Sequence, residues 1–301
     1  MWNRRDMLGG AGFMIGATLT RRAFAFLPRA GQPAEVPKTL ASTETFRRLE
    51  GKSGGRLGVF LLDMGTGAHV GYRAEERFPM CSTFKFLLAG AVLRRIDRGA
   101  DKLDRVVRFG KQDLLSYAPL TTPHVDTGMT LADLCSAAVT MSDNTAANVL
   151  LREIGGPEEV TAFARSVGDS VTRLDRDEPT LNESTPGDPR DTTTPRAIAE
   201  DMGRLAAADT LSERSRMLLT EWLVGCKTGD KRIRAAVPAG WRVGDKTGTG
   251  ARATTNDVAI LWPPGKTPSV IATYLTGATA DDAAREQALA EAARIALASL
   301  G

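Results

Sequence analysis

The sequence predicts an α+β fold: one mixed sheet assembled from both ends of the chain, with a helical segment inserted between its halves. Three observations carry this. Residues 56–63 (RLGVFLLD) and 69–73 read as strands near the start. Residues 241–250, 255–262 and 269–276 read as strands near the end. Between residue 81 and about residue 224 the signals are mostly helical.

The elements follow in order. Residues 42–50 predict a helix, stopped by Gly51 and Gly54-Gly55. After the first strand, Gly65-Thr66-Gly67 turns the chain into the second. Met80-Cys81 then leads into a helix carrying Ser82. Its residues Phe84, Phe86, Leu87, Leu88, Ala91, Val92 and Leu93 are apolar almost all round, which predicts burial in mid-domain; Gly99 ends it. Thr130 is placed to cap a helix over 131–141, with Asp133 positioned to reach back. A helix over 145–154 stops at Gly155-Gly156-Pro157, and another follows over 158–167. Residues 169–194 form a long polar loop, and loops of this length are usually functional or disordered. Thr194-Pro195 opens the next helix with proline at its first position, and Ser212 caps the one after. Pro263-Pro264-Gly265 turns between the last two strands, and a helix over 280–300 closes the chain.

Composition bounds the function. The chain has 301 residues, 42% hydrophobic and 25% charged, with a net charge of +3. Its first 25 residues hold four arginines and one aspartate, which is the whole of that excess. Charge therefore gives no support to nucleic-acid binding. The same 25 residues read as an export leader. Arg4-Arg5 forms a twin-arginine pattern, a mild apolar run from Leu8 to Leu19 follows, and Ala23-Phe24-Ala25 offers a small-x-small cleavage site. Cleavage near Ala25 would leave a Pro- and Ala-rich linker over 26–41 and a periplasmic or secreted protein without a membrane anchor. The two histidines, His69 and His124, lack metal-ligand spacing, so neither a metal nor a cofactor is expected. The scarcity of histidine also argues against a Ser-His-Asp triad.

That directs attention to lysine. Ser82-Thr83-Phe84-Lys85 sets a hydroxyl and an amine on one helical face, where the amine can withdraw the serine's proton. Three further segments supply what a lysine-assisted serine enzyme needs. Ser142-Asp143-Asn144 sits at a break between helices: its hydroxyl could relay a proton, and Asn144 could hold a substrate carbonyl. Lys246-Thr247-Gly248, followed by Thr249-Gly250, lies on a strand whose edge could pair with an amide-like substrate. Glu178 and Asn182 stand in the polar loop, where a carboxylate and an amide could hold one water. Each segment alone reads as a cap, a turn or a solvated loop; the four together in this order are specific.

In these motifs the chain resembles the class A serine β-lactamases, over nearly its whole length from about Ser42. The resemblance implies an antiparallel five-stranded sheet flanked by N- and C-terminal helices. Residues 42–80 and 225–301 would form a discontinuous α/β domain, and residues 81–224 an all-helical domain that includes an Ω-loop over 173–192. It implies Ser82 as the acyl-forming nucleophile and Lys85 and Glu178 as candidate acylation bases. Glu178 and Asn182 would hold the deacylating water, and Ser142 would pass a proton to the β-lactam nitrogen. Tyr117 would flank the pocket and Asn144 would bind the acylamide. Lys246, Thr247 and Thr249 would face the substrate carboxylate, with the N–H groups of Ser82 and Thr249 as oxyanion hole. Arg176 and Asp191 match the ion pair at the neck of the Ω-loop, and Glu178-Pro179 its cis peptide. The family is monomeric and acts on a small-molecule β-lactam.

The sequence also departs from the best-known penicillinases. Thr255 stands where many carry a substrate-binding arginine, and Arg232 matches the position of a substitute guanidinium. Cys81 precedes the nucleophile as in several carbapenemases, but Gly250 occupies the place of its disulfide partner, and Ala89 that of Cys135. Three free, buried thiols are therefore expected: Cys81, Cys135 and Cys226. Thr249 is a feature of members active on cephalosporins and carbapenems. Two alternatives remain open on sequence grounds: a D-alanyl-D-alanine carboxypeptidase or transpeptidase, and a non-turnover β-lactam sensor. Glu178 with Asn182 argues against both, because peptidoglycan enzymes lack that water site and stay acylated by penicillin, and sensors deacylate slowly.

Overall fold

The structure, a computed structural model, describes the backbone of residues 40–300 and the side chains of 42–300. The leader expected over 1–25 and the linker expected over 26–41, apart from the backbone of its last two residues, lie outside the described residues. Helix α1 (Leu40–Ser53) runs through Gly51, and the chain turns at Gly54, whose φ is +69°. Strands β1 (Arg56–Asp63) and β2 (His69–Tyr72) form a hairpin. The Asp63 carboxylate closes its turn by accepting from the Gly65 and Thr66 amides at 2.8 and 3.0 Å. Strand β3 (Phe78–Pro79) leads into a 3-10 turn, Cys81–Phe84, which continues as α2 (Lys85–Asp97). Then come β4 (Val106–Val107), β5 (Met129–Thr130), α3 (Leu131–Thr140), α4 (Asn144–Ile154) and α5 (Pro157–Ser166). Beyond the polar loop lie β6 (Thr192–Thr193), α6 (Pro195–Ala207) and α7 (Glu213–Val224). Strands β7 (Arg242–Gly250), β8 (Thr254–Trp262) and β9 (Ser269–Thr276) and helix α8 (Asp282–Leu300) complete the chain.

The main sheet has the order β2-β1-β9-β8-β7, so its centre joins the early strands to the last one. Every pair is antiparallel, which corrects the mixed sheet read from the strand pattern. Short connections between β7, β8 and β9 force antiparallel neighbours, and β1 runs against β9 from Arg56–Thr276 to Asp63–Ser269. A second correction concerns residues 99–130, expected to be mostly helical. Only the 3-10 turns Lys111–Asp113 and Thr122–His124 and the two-residue strands β4 and β5 form there. Gly110, Pro119, Pro123 and Gly128 interrupt any helical period.

Both faces of the sheet are buried. Phe60, Val258, Ile260, Val270, Ala272 and Tyr274 face the helices of the insert. Leu57, Val59, Leu61, Ala259, Leu261, Ile271 and Leu275 face the other way, with Phe46 of α1 and Leu289, Ala292, Ala293 and Ala296 of α8. The alternation along each strand is the period-2 rule at work. Helix α2 lies inside the larger cluster, and every residue from Lys85 to Leu93 is buried. That explains its all-round apolar surface and leaves Lys85 as a cation in a dry setting. Side-chain caps fix the helix starts: Thr130 accepts from the Asp133 amide, Asp143 from Ala146, Thr194 from Ala197 and Ser212 from Ser215. The Asp133 carboxylate itself accepts from the Thr130 hydroxyl at 2.6 Å.

Candidate active site

Ser82 stands on the 3-10 turn at the head of α2 and is 8% exposed. The residue before it, Cys81, has φ +46°, and Ser142 has φ +58°. Left-handed backbone costs an L-residue about 1–2 kcal/mol, and strain of this kind gathers where side chains must be aimed. The turn is pinned from below: the Asn256 amide donates to the Pro79 and Met80 carbonyls at 2.8 and 3.1 Å. Thr83 Oγ1 donates to the Met80 carbonyl at 2.8 Å and shares a hydrogen bond with the Tyr274 hydroxyl at 2.8 Å. Strand β7 comes so close that a Cβ on Gly248 would lie 2.7 Å from the Met80 carbonyl oxygen. Glycine there is a condition for bringing Lys246, Thr247 and Thr249 beside Ser82.

The polar groups converge on Glu178. Ser82 Oγ donates to Glu178 Oε1 at 3.1 Å, and Lys85 Nζ forms an ion pair with the same oxygen at 2.9 Å. The serine hydroxyl thus donates to one of the two candidate bases, Glu178, and Lys85, the other, shares that oxygen. Lys85 Nζ also donates to Asn144 Oδ1 at 2.6 Å, to the Ser142 carbonyl at 2.9 Å and to Ser142 Oγ at 3.5 Å. From the opposite side Lys246 Nζ donates to Ser142 Oγ at 3.0 Å and to the Thr247 carbonyl at 2.9 Å. Asn182 Nδ2 donates to Glu178 Oε2, while Asn182 Oδ1 is buried without a protein partner. Burial lowers the pKa of Lys85, against the attraction of Glu178, which raises it. Burial likewise pushes Lys246 down to about 8, helped by the nearby charge of Lys85.

The loop that carries Glu178 is fastened at its neck. Asp191, buried and at φ +56°, accepts from Arg176 Nε at 2.6 Å and from the Asp175 and Arg176 amides at 2.8 and 2.9 Å. The Glu178–Pro179 bond is cis. A clamp on Glu178 itself is absent from the sequence reading. Asn148 of α4 accepts from the Glu178 N–H at 2.9 Å and donates to the Glu178 carbonyl at 2.7 Å. Its signal is an amide four residues beyond Asn144 in an otherwise apolar stretch of helix. Asp143 does more than cap its helix. It takes the Leu120 and Thr121 amides at 2.9 and 3.0 Å, tying the segment of Tyr117 to the site.

The remaining expected residues fall at the rim or beneath it. Tyr117 is 46% exposed, and its main-chain carbonyl accepts from the Asn144 N–H at 3.0 Å. Thr247 is buried and Thr249 exposed on β7. Arg232 is buried, not a solvated surface arginine: it donates to the Gly248 and Asn256 carbonyls at 3.1 and 2.8 Å and to Thr249 Oγ1 at 2.9 Å. Glu286 lies 3.4 Å from its Nε. All three cysteines are free and buried. Burial pushes Cys81 up to about 12 and Cys226 up to about 11, which keeps both as inert thiols. A Cβ on Gly250 would lie 2.6 Å from Cys81 Sγ, so this glycine does occupy the place facing that thiol. Among the described residues no group of His, Cys, Asp and Glu could hold a metal ion.

A serine, two buried lysines and a carboxylate sharing one hydrogen-bonded cluster can form and break an acyl-enzyme. Comparison with known proteins agrees. The model of the beta-lactamase enzyme family matches residues 41–300. The carbapenem-hydrolyzing beta-lactamase KPC of Klebsiella oxytoca is 50% identical over 275 residues, covering 91% of this chain and 94% of that one. Beta-lactamase CTX-M-8 of Citrobacter amalonaticus is 47% identical over 268 residues, covering 89% and 90%. Among solved structures, an ancestral class A beta-lactamase of Gram-negative bacteria superposes with a TM-score of 0.84 at 57% identity, covering 86% of this chain and 100% of that one. The chain belongs to the beta-lactamase enzyme family and is a class A serine β-lactamase, a hydrolase of β-lactams that confers resistance to them.

Proposed function

We propose that Ser82 attacks the β-lactam carbonyl and that Glu178 activates the water that releases the acyl group. The observation that carries this is the shared oxygen: Glu178 Oε1 meets both Ser82 Oγ and Lys85 Nζ. A proton leaving Ser82 therefore has an acceptor within one hydrogen bond. Ser142 bridges Lys85 and Lys246, which suits it to pass that proton on to the lactam nitrogen. The orphan Asn182 Oδ1 beside Glu178 supplies the second acceptor that a held water needs. The N–H groups of Ser82 and Thr249 serve as oxyanion hole, each worth about 3–4 kcal/mol of barrier. Tyr117 and Asn144 receive the acylamide side. The Arg176–Asp191 pair supports the Ω-loop that carries Glu178.

The substrate carboxylate falls to Lys246, Thr247 and Thr249, with Arg232 behind. The cation of Lys246 is present below a pKa of about 8 and is lost above it. Catalytic efficiency on carboxylate-bearing β-lactams is therefore expected to fall as pH rises through about 8, mainly through KM. A profile flat through that pH would remove the electrostatic role of Lys246. In the same measurement Arg232→Ala is expected to raise KM about tenfold or more at every pH, the loss of one charge-assisted hydrogen bond. An unchanged KM would return Arg232 to a purely structural place under β7.

We extend the proposal to penicillins, cephalosporins and carbapenems. A relative named as carbapenem-hydrolyzing shares half of its aligned sequence with this chain, and Thr249 is present. Steady-state assays with one drug of each class test this. Sustained turnover is expected on all three, whereas a stoichiometric burst without a steady state strikes that class from the range. The protein is proposed to work outside the cytoplasm after loss of its twin-arginine leader. No described helix is long and apolar enough to cross a membrane. Fractionation of cells carrying R4K/R5K should find the activity retained in the cytoplasm; unaltered export would remove the twin-arginine reading.

A further inference from the structure

A cavity of about 660 Å³, lined by none of the catalytic residues, opens under the second half of the Ω-loop. The start of β1 and the end of β9 contribute Arg56, Thr276 and Gly277 to it, Glu76, Arg77 and Pro79 form one wall, and loop residues 184–189 form another. Its size falls within the range of about 300–1,000 Å³ typical of small-molecule sites.

Its charge is lopsided in a particular way. Three guanidinium groups line it, those of Arg56, Arg77 and Arg252, against the carboxylates of Glu76 and Asp188. Both carboxylates are engaged: Glu76 by Arg56 at 3.1 Å and Arg73 at 2.9 Å, Asp188 by Arg190 at 2.7 Å. Among the described residues Arg77 donates one hydrogen bond from its side chain, to the neutral Thr192 hydroxyl at 2.9 Å. Arg252 has no carboxylate within ion-pair distance among the described residues, and it is exposed. Each guanidinium carries five donors in a fork that fits oxyanions bidentately. Pro79, Pro186 and Pro189 add apolar surface between the charges.

We infer that this cavity binds a small polyvalent oxyanion, a polycarboxylate or a phosphate, between Arg77 and Arg252 with Arg56 beside it. Such an occupant bridges the segment before β3 to the turn between β7 and β8, with residues 184–189 of the Ω-loop over it. That turn already holds the loop once: the Ala251 N–H donates to the Asn182 carbonyl at 2.9 Å. The site is independent of the roles assigned to Ser82 and Glu178, so it stands or falls separately from them.

The test is an NMR titration of the nitrogen-15-labelled enzyme with citrate in one arm and inorganic phosphate in the other. The amides of Gly187, Arg252 and Gly277 report the cavity; those of Ser142 and Thr249 report the active site, whose cations also attract anions. The expected result is a saturable shift of the first set, with its own midpoint, and the arm that saturates names the class of anion. Arg252→Gln should weaken it about tenfold, the effect of deleting one charge-assisted hydrogen bond. R77Q/R252Q should abolish it and leave the active-site titration and turnover unchanged. Failure of both anions to saturate the first set, or the same midpoint in R252Q, would overturn the inference. The single variant at an exposed, unpaired arginine keeps the test valid should the double variant not fold.

Discussion

Glu178→Gln is expected to trap the acyl-enzyme. Mixed with a chromogenic cephalosporin it should release about one equivalent of product and then slow, with the added mass on Ser82 visible in the intact protein. A positioned general base contributes roughly 10²–10⁴ in rate, and deacylation should fall by about that factor. Acylation should survive for a physical reason. Burial draws the proton off Lys85, and the charge of Glu178 is the largest influence opposing that. Without the carboxylate the lysine sits closer to the neutral amine and can accept the serine proton itself. The fold should tolerate the change. The introduced glutamine can keep its carbonyl oxygen toward Ser82 and Lys85, and Asn182 can turn its unpaired Oδ1 toward the new NH₂. Normal turnover, or a slow reaction without any adduct, would remove Glu178 from the deacylation step.

Lys85→Ala should fail earlier, before any adduct forms. It deletes the amine and leaves the Glu178 carboxylate buried without its cation at 2.9 Å. Breaking a buried pair from one side costs about 3–5 kcal/mol when the remaining charge stays. Ser82 loses the amine that could take its proton, and Glu178 loses the cation that holds its carboxylate beside Ser82. Both half-reactions are then impaired, and kcat/KM should fall by about 10³-fold or more. The two variants break the same ion pair, yet one should accumulate the adduct and the other should not. An adduct forming in K85A at the parent rate would show that acylation does not need the amine.

The difference between what is legible in the sequence and what is not has a physical pattern. β1 and β9 match their expected residues, because unbroken apolar runs between turns leave little freedom. The Ser82, Ser142, Glu178 and Lys246 segments stand out because each joins a reactive side chain to a local break in periodicity. Their convergence into one hydrogen-bonded cluster is not readable, since Glu178 lies 96 positions from Ser82 and Lys246 lies 104 from Ser142, and only the packed core sets their distances. Asn148 is easily passed over for a related reason. A polar residue on a helix announces a solvated face unless one knows that the Ω-loop backbone lies against it. Residues 99–130 pass for helix because polar stretches between helices carry no period of their own. Arg232 is placed near the substrate carboxylate by the resemblance, but its burial beneath Thr249 depends on the closeness of β7 and β8, which no spacing encodes.

Strand β7 is the last strand of its sheet, with β8 on one side only. A free edge of nine residues would ordinarily invite another chain to pair with it. Here the close approach at Gly248 sets the nucleophile turn against that edge, and the strand is buried from Val243 to Gly248. Only its two ends, Arg242 and the pair Thr249 and Gly250, reach solvent, each too short a template for a neighbouring strand. The same few main-chain groups remain available to a small amide. Solubility and catalysis therefore draw on one arrangement: the stretch left open for a β-lactam is short enough to resist aggregation, and any side chain that pushed the turn off β7 would expose the edge as well as disable the serine.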